Sequence, residues 1–333
     1  MEQLTVSQLV KDIRFEGFLL VRSSDQRESA KGGRYLDMNL TDRTGEINCK
    51  VWDGNVAPPP AGSVIKVRGL VQEYNGRLQL RIERIRASTA EDKVDLSLLV
   101  PCAPEKPEDM MREISDTIDG FASEELKKIV REMLRLSGDA IYWFPAAQRL
   151  HHAERSGLLH HTTGMLRLAN HVIEAYPWLK GDLLRAGVIL HDLSKITEMK
   201  SDELGNVSDY TRDGLMIGHL VRGVAQLAQA AKNVGVEGEI VVLLEHMIIS
   251  HHGEAEYGSP RKPMFPEAEV LHWIDLLDAR MNEMQGVMDR VPAGAFSEKI
   301  WSLDRRLYHP RYDYEDDAQS GMGSMRCIHR GIQ

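Results

Sequence analysis

The sequence predicts two domains of different class: a small all-β barrel over residues 1–87 and a mainly α-helical domain over 110–305. A linker at 88–109 joins them, and a loosely ordered tail follows at 306–333. Three observations predict this. Before residue 87, apolar and polar residues alternate with period two in five short runs, the spacing that half-buries a strand. Beyond residue 110 the apolar spacing changes to three and four, which puts one face of a helix inward. Between the two lie Pro101, Pro104 and Pro107 with little periodicity of either kind.

The strands are expected at 15–22, 35–40, 47–52, 64–72 and 78–85. Gly32-Gly33, Asp42-Arg-Thr-Gly45 and Asn75-Gly76 supply turns, the last a hairpin signal because both central residues tolerate φ > 0. The linker carries one anchored segment, 94–99. Helices are expected at 110–121, 123–137, 162–176, 181–191, 217–233, 238–251 and 266–288, with Met165, Leu166, Ala169, Val172 and Ile173 an example of the inward face. Gly205-Asn206 supports a small hairpin between 195 and 211. The tail, with Arg311-Tyr-Asp-Tyr-Glu-Asp-Asp317 and Gly321-Met-Gly-Ser-Met325, has no core pattern.

Composition bounds the function classes. With 42% hydrophobic and 27% charged residues over 333 positions, the chain reads as an ordinary soluble protein with a sizeable core. The first ten residues lack the pattern of a signal peptide, and no apolar run approaches the roughly 20 residues of a membrane span. A cytoplasmic protein without a membrane partner is expected. Cys49, Cys102 and Cys327 form no C-x-x-C and read as reduced and structural. The net charge of −9 is uneven: residues 1–87 hold 14 Lys and Arg against 11 Asp and Glu, net +3, leaving 27 against 39, net −12. A mildly basic first domain admits a polyanion, while the acidic second one has carboxylates to spare for metal.

The chemistry concentrates in Leu184-Arg-Ala-Gly-Val-Ile-Leu-His-Asp-Leu-Ser-Lys195, where an apolar helical run delivers His191 and Asp192 into a buried setting. An ionised Asp there is costly unless a cation compensates it. Around it stand His161, His219, His251, His252 and Asp275. Imidazoles mixed with carboxylates suit Mn, Fe, Co or Zn rather than Mg or Ca. The donor count exceeds the needs of one ion. With Asp192 as a bridge, His161, His191, Asp192 and Asp275 would hold one ion, and Asp192, His219, His251 and His252 a second. Two such ions activate a shared water and clamp a phosphoryl centre. His191 and Asp192 are therefore the catalytic candidates, with Lys195 expected to meet the developing phosphate charge. His171, His246, His272, His309 and His329 read as structural or surface groups.

The first domain resembles, in strand order and spacing, an OB-fold of the kind that binds single-stranded nucleic acid. Such folds grip a strand with a basic groove and stacking aromatics. Tyr35, Trp52 and Lys66 are the principal candidates here, with Tyr74, Arg34, Lys50 and Arg77 beside them. The ordered set His161, His191-Asp192 and Asp275 resembles the HD-domain metal-dependent phosphohydrolase superfamily. With Pro145-Ala-Ala-Gln-Arg-Leu-His-His-Ala153, Gly157-Leu-Leu-His-His-Thr162, Ile217-Gly-His219, Ser250-His-His-Gly253 and Gly258-Ser-Pro-Arg-Lys-Pro263, residues 5–290 are similar to the YhaM-type 3′–5′ exoribonucleases. One departure is His160, where that family usually has Glu.

The resemblance implies an OB-fold followed by an HD domain that degrades single-stranded RNA, or DNA, from the 3′ end with Mn²⁺ or a similar ion. A metal-activated hydroxide would release nucleoside monophosphates while the OB-fold holds the upstream strand. His151, His152, Arg261 and Lys262 are further substrate contacts, and 258–263 is the candidate wall that gives the reaction its direction. Two other readings stay open. One is an HD phosphohydrolase of free or cyclic nucleotides; the other is a non-catalytic nucleic-acid-binding protein with a structural metal site, although such sites are usually closed. The sequence leaves RNA against DNA, the metal and homo-oligomerisation open.

Overall fold

A computed structural model describes residues 3–311 apart from 30, 31 and 55. Five strands, β1 (Arg14–Glu28), β2 (Arg34–Asp42), β3 (Gly45–Val51), β4 (Val64–Tyr74) and β5 (Arg77–Ala87), close into a barrel in the order β1-β2-β3-β5-β4. Closure is made by a parallel pairing of β3 with β5, and the other pairings are antiparallel. The period-two alternation puts Leu36, Met38, Leu40, Cys49, Val71 and Leu80 into a sealed interior. Burial there pushes the Cys49 thiol far above its ordinary pKa, so it is an inert packing group.

β1 runs six residues beyond its expected end. Its first half pairs with β4 and its second with β2, and a bulge between Val21 and Ser23 lets it turn from one neighbour to the other. The extension, Ser23 to Glu28, is mostly exposed and shows no alternation. The β4–β5 hairpin turns on Asn75 (φ 52°) and Gly76 (φ 74°), both left-handed. Gly69 sits at a register shift where a Cβ would stand 2.3 Å from the Arg81 carbonyl oxygen, so the two strands meet too closely for any side chain. Buried Asp42 accepts from the amides of Val6 (2.6 Å), Thr44 (2.7 Å) and Gly45 (3.1 Å), which forms the β2–β3 turn and pins the N-terminal segment to it.

After the barrel, residues 88–106 contain two short helical turns, with Arg86 gripping Asp92 through two hydrogen bonds and Leu99 and Val100 buried. The helical domain follows with α1 (Pro107–Asp119), α2 (Glu124–Ser137), α3 (Gly157–Ala175), α4 (Gly181–Leu190), α5 (Lys195–Glu198), α6 (Arg212–Met216), α7 (Gly218–Val234), α8 (Glu239–Ser250) and α9 (Pro266–Met288). Ile129, Leu166, Leu184, Leu227, Leu244 and Met247 form one core shared by α2, α3, α4, α7 and α8. A small hairpin, β6 (Met199–Ser201) with β7 (Val207–Tyr210), stands where Gly205-Asn206 predicts it.

α3 starts five residues before its expected position. Consecutive His160 and His161 hide the apolar spacing, and the true start is set by Gly157, where a Cβ would lie 2.0 Å from the His152 carbonyl oxygen. Among the described residues the chain separates into two compact units on either side of the Ala279–Arg280 junction, inside α9. In the second unit, Phe296 bridges to Tyr308 and Ile300 to Arg305. Cys327, His329 and the expected tail from residue 312 onward lie outside the described residues. Among the described residues, no helix is long and apolar enough to cross a membrane.

Candidate metal centre and nucleic-acid interface

The apolar run of α4 ends with His191 as its C-cap and Asp192 just beyond, at 1% and 3% exposure. His191 Nδ1 lies 2.8 Å from the Val188 carbonyl oxygen, and His251, at the end of α8, makes the same bond to Ile248 (2.7 Å). His252 Nδ1 meets the Tyr257 carbonyl at 2.8 Å, His219 Nδ1 the Glu198 carboxylate at 3.0 Å, and His161 Nδ1 the Asp278 carboxylate at 2.7 Å. An oxygen of this kind can only accept, so each Nδ1 carries the proton and donates it. In the neutral ring, each Nε2 is left with a free lone pair, the state in which histidine ligates metal.

Four of these Nε2 atoms, those of His161, His191, His219 and His251, converge on Asp192 from two sides. Around Oδ2 stand His191 Nε2 (3.3 Å) and His161 Nε2 (3.8 Å), which are 3.3 Å from each other, and His161 Nε2 is also 3.3 Å from Asp275 Oδ1. Facing Oδ1 are His219 Nε2 and His251 Nε2, each at 3.6 Å. Asp192 Oδ1, His219 Nε2 and His251 Nε2 are all buried without a hydrogen-bond partner. Two ligands bonded at about 2.0–2.2 Å and subtending 90–110° stand roughly 3.0–3.5 Å apart, close to the separations found. The donor set and its orphaned atoms therefore fit divalent transition ions. His161, His191 and Asp192 make one group able to hold an ion, His219, His251 and His252 a second, and His191, His251 and Asp275 a third that overlaps both. All seven expected ligands come together, with His251 also close to the Oδ2-side group.

The electrostatics prepare the same role. Burial would raise the pKa of Asp192, but Lys195 and then His191 outweigh it and hold the carboxyl well below its usual range. Burial alone would lower the Lys195 pKa, and the Asp192 charge more than reverses this, so the pair stays ionised. Lys195 Nζ is 2.7 Å from Asp192 Oδ2 and nearly buried, so it serves Asp192 before any phosphate. Burial pushes His251 down to about 3, which leaves a neutral ring. His161 behaves oppositely: burial works to lower its pKa, but hydrogen bonds to Asp275 and Asp278 push it up to about 9. A proton thus competes with any ion at His161 below that pH. Metal affinity is expected to rise with pH toward 9, by up to about tenfold per unit for one displaced proton. Mn²⁺ calorimetry in buffers of different ionisation heat at pH 7 and 8 checks this; absence of proton release would contradict it.

Other expected contacts fall differently. His151 is largely buried beside His161, with ring centroids 5.7 Å apart, and burial followed by the Lys195 charge lowers its pKa to about 3. His152, also expected to meet substrate, is 4% exposed, with Nε2 2.7 Å from Asp278 Oδ2 and Nδ1 3.1 Å from His160 Nδ1. A left-handed backbone (φ 49°) turns it inward. His160 also meets Glu154 at 2.8 Å, so a carboxylate stands close to His152 although residue 160 is not Glu. Lys262 pairs with Glu254 on the surface, and Arg261 is exposed. Asp278 and Glu198, which orient His161 and His219, escape sequence reasoning. The available signals were the three-residue spacing of Asp278 from Asp275 on one helix face and of Glu198 from Lys195.

On the barrel, Tyr35 and Trp52 stack with centroids 4.8 Å apart, and Trp52 is 58% exposed. Lys50 lies over Tyr35 and pairs with Asp37. Lys66, 3.6 Å from Glu16, lines a groove of about 500 Å³ with Arg68, Arg84 and Arg86.

Residues 14–87 match the OB-fold nucleic acid binding domain family and residues 158–280 the HD domain family. Fold and site thus define a hydrolase of the HD class joined to an OB-fold. The 3′–5′ exoribonuclease YhaM of Geobacillus sp. (strain WCH70) is 40% identical over 298 residues, 88% of this chain and 90% of the relative. That of Listeria monocytogenes (serovar 1/2a) is 40% identical over 301 residues, 89% and 95% respectively. That of Halalkalibacterium halodurans is 37% identical over 302 residues, 89% and 93%. The chain belongs to the YhaM family.

Proposed function

We propose that the protein is a cytoplasmic 3′–5′ exoribonuclease that hydrolyses single-stranded RNA or DNA to nucleoside monophosphates with two divalent transition ions, Mn²⁺ foremost. The observation that carries this reading is the Asp192 carboxylate, whose two oxygens face two separate sets of imidazole Nε2 atoms. The names of its relatives support the substrate and the direction. Ions bound on either side of Asp192 would acidify a shared water and neutralise charge on the attacked phosphoryl group.

The chain's own residues do the rest. Lys195 keeps Asp192 ionised and fixed in place. Glu198, Asp278 and the helix-end carbonyls hold each ligand ring in one tautomer. His151, neutral and beside His161, offers a hydrogen bond to a phosphoryl or sugar oxygen. The 258–263 loop begins at Gly258, against Leu220 and one residue from His219, and is our candidate for the wall that stops the strand. Trp52 and Tyr35 would stack upstream bases. Trp52→Ala is expected to weaken binding of a long single strand by about 1–3 kcal/mol, the value of one stacked base. Fluorescence anisotropy measures it, and unchanged affinity would remove Trp52 from the grip.

The testing experiment is a time course on a labelled strand with Mn²⁺. Single nucleotides should appear from the first points, a bulky 3′ block should stop them, and a blocked 5′ end should not matter. Rapid cutting of a circular strand would show endonuclease action and overturn the direction. Turnover of free or cyclic nucleotides alone would overturn the nucleic-acid substrate.

A further inference from the structure

Next to the Asp192 centre, and sharing no donor atom with it, the turn before α3 and the first turn of α3 gather a second set. His152 Nδ1, His160 Nδ1 and Glu154 Oε1 form a triangle with edges of 3.1 Å between the nitrogens, 2.8 Å from His160 to Glu154 and 3.9 Å from His152 to Glu154. Two imidazole nitrogens cannot direct bare lone pairs at each other over 3.1 Å; a proton or a metal ion must lie between or beside them. A single proton on His160 Nδ1 can be shared between the two short edges at most and leaves the His152–Glu154 edge unbridged, whereas an ion at the centre serves all three.

The orientation of His152 favours the ion. Its Nε2 donates to Asp278 Oδ2 at 2.7 Å, the carboxylate support that ligating histidines usually have, and this turns the Nδ1 lone pair toward the triangle. The backbone holds the residue there at φ 49°, fixed by the Ala146 amide on its carbonyl (3.1 Å) and by the close approach of Gly157. The side chains of Glu154 and His160 are 20% and 22% exposed, which leaves an approach for an ion and room for water to complete its shell.

We propose that His152, His160 and Glu154 form a further binding site for a divalent transition ion, of the class that imidazole and carboxylate donors select. Asp278 accepts from both His152 and His161. The ion therefore fixes the His152 tautomer, and through Asp278 it steadies a ligand of the Asp192 centre. It acts as a positioning ion and touches no substrate. Binding of this ion depends on neither the choice of RNA nor the direction of attack.

The test uses the full chain, stripped of metal and equilibrated with Zn²⁺. Wild type should retain one equivalent more than Glu154→Ala or His160→Leu, as counted by plasma mass spectrometry after gel filtration. Asp192→Asn should lose ions from its own centre and keep this equivalent. Folded Glu154→Ala and His160→Leu proteins that bind as much Zn²⁺ as wild type would overturn the proposal. Should either variant fail to fold, anomalous diffraction at the zinc edge from wild-type crystals decides. A peak within bonding distance of the three donors supports the site; its absence with the Asp192 centre filled refutes it.

Discussion

Asp192→Asn is expected to lower kcat at least about 10³-fold, in the range seen when a central catalytic group is removed, with single-strand affinity nearly unchanged. The amide keeps the shape of the side chain but loses the charge that two sets of imidazoles face. It also strands Lys195, whose buried ammonium stands 2.7 Å from the carboxylate. Breaking one partner from a buried pair typically costs about 3–5 kcal/mol, so the melting temperature should fall as well, and turnover must be assayed where the variant is folded. Circular dichroism, strand anisotropy and nucleotide release together check the expectation. A folded variant that lost binding together with turnover would contradict a division of labour between barrel and metal centre.

Asp278→Ala should weaken metal binding by about 10–100-fold, the usual effect of removing a carboxylate behind a ligating histidine. The effect should be at the upper end, because Asp278 Oδ2 accepts from both His161 and His152 at 2.7 Å. Its distinguishing sign is rescue: activity lost at low Mn²⁺ returns at high Mn²⁺, since no ligand of the Asp192 centre has been removed. A Mn²⁺ activation curve reads this directly. An unshifted midpoint would show that His161 needs no such support.

The difference between Asp192 and Asp278 also shows what the sequence could reveal. A carboxylate beside His191 at the end of an all-apolar helix has no ordinary explanation, so the pair is visible without a structure. An Asp on the mixed surface of α9 looks like any solvated helix charge until the fold turns it toward His161. The same holds for Glu198, whose role exists only because α5 and the start of α7 meet. In the barrel, strands with one face inside show their alternation, whereas the end of β1, Ser23 to Glu28, is mostly exposed and carries no pattern. Turns were legible where backbone chemistry dictates them, as at Asn75-Gly76 and Gly205. The inward turn of His152 was not, because its left-handed backbone is imposed by Ala146 and Gly157 rather than by its own preference.

The central claim is that one carboxylate serves two ions. Anomalous diffraction at the manganese edge, from crystals of the full chain equilibrated with Mn²⁺, tests it most directly. The account predicts two peaks about 3.5–4 Å apart, one bonded to Asp192 Oδ2 with His161 and His191, the other to Oδ1 with His219 and His251. A single peak, or two of which only one touches Asp192, would contradict it.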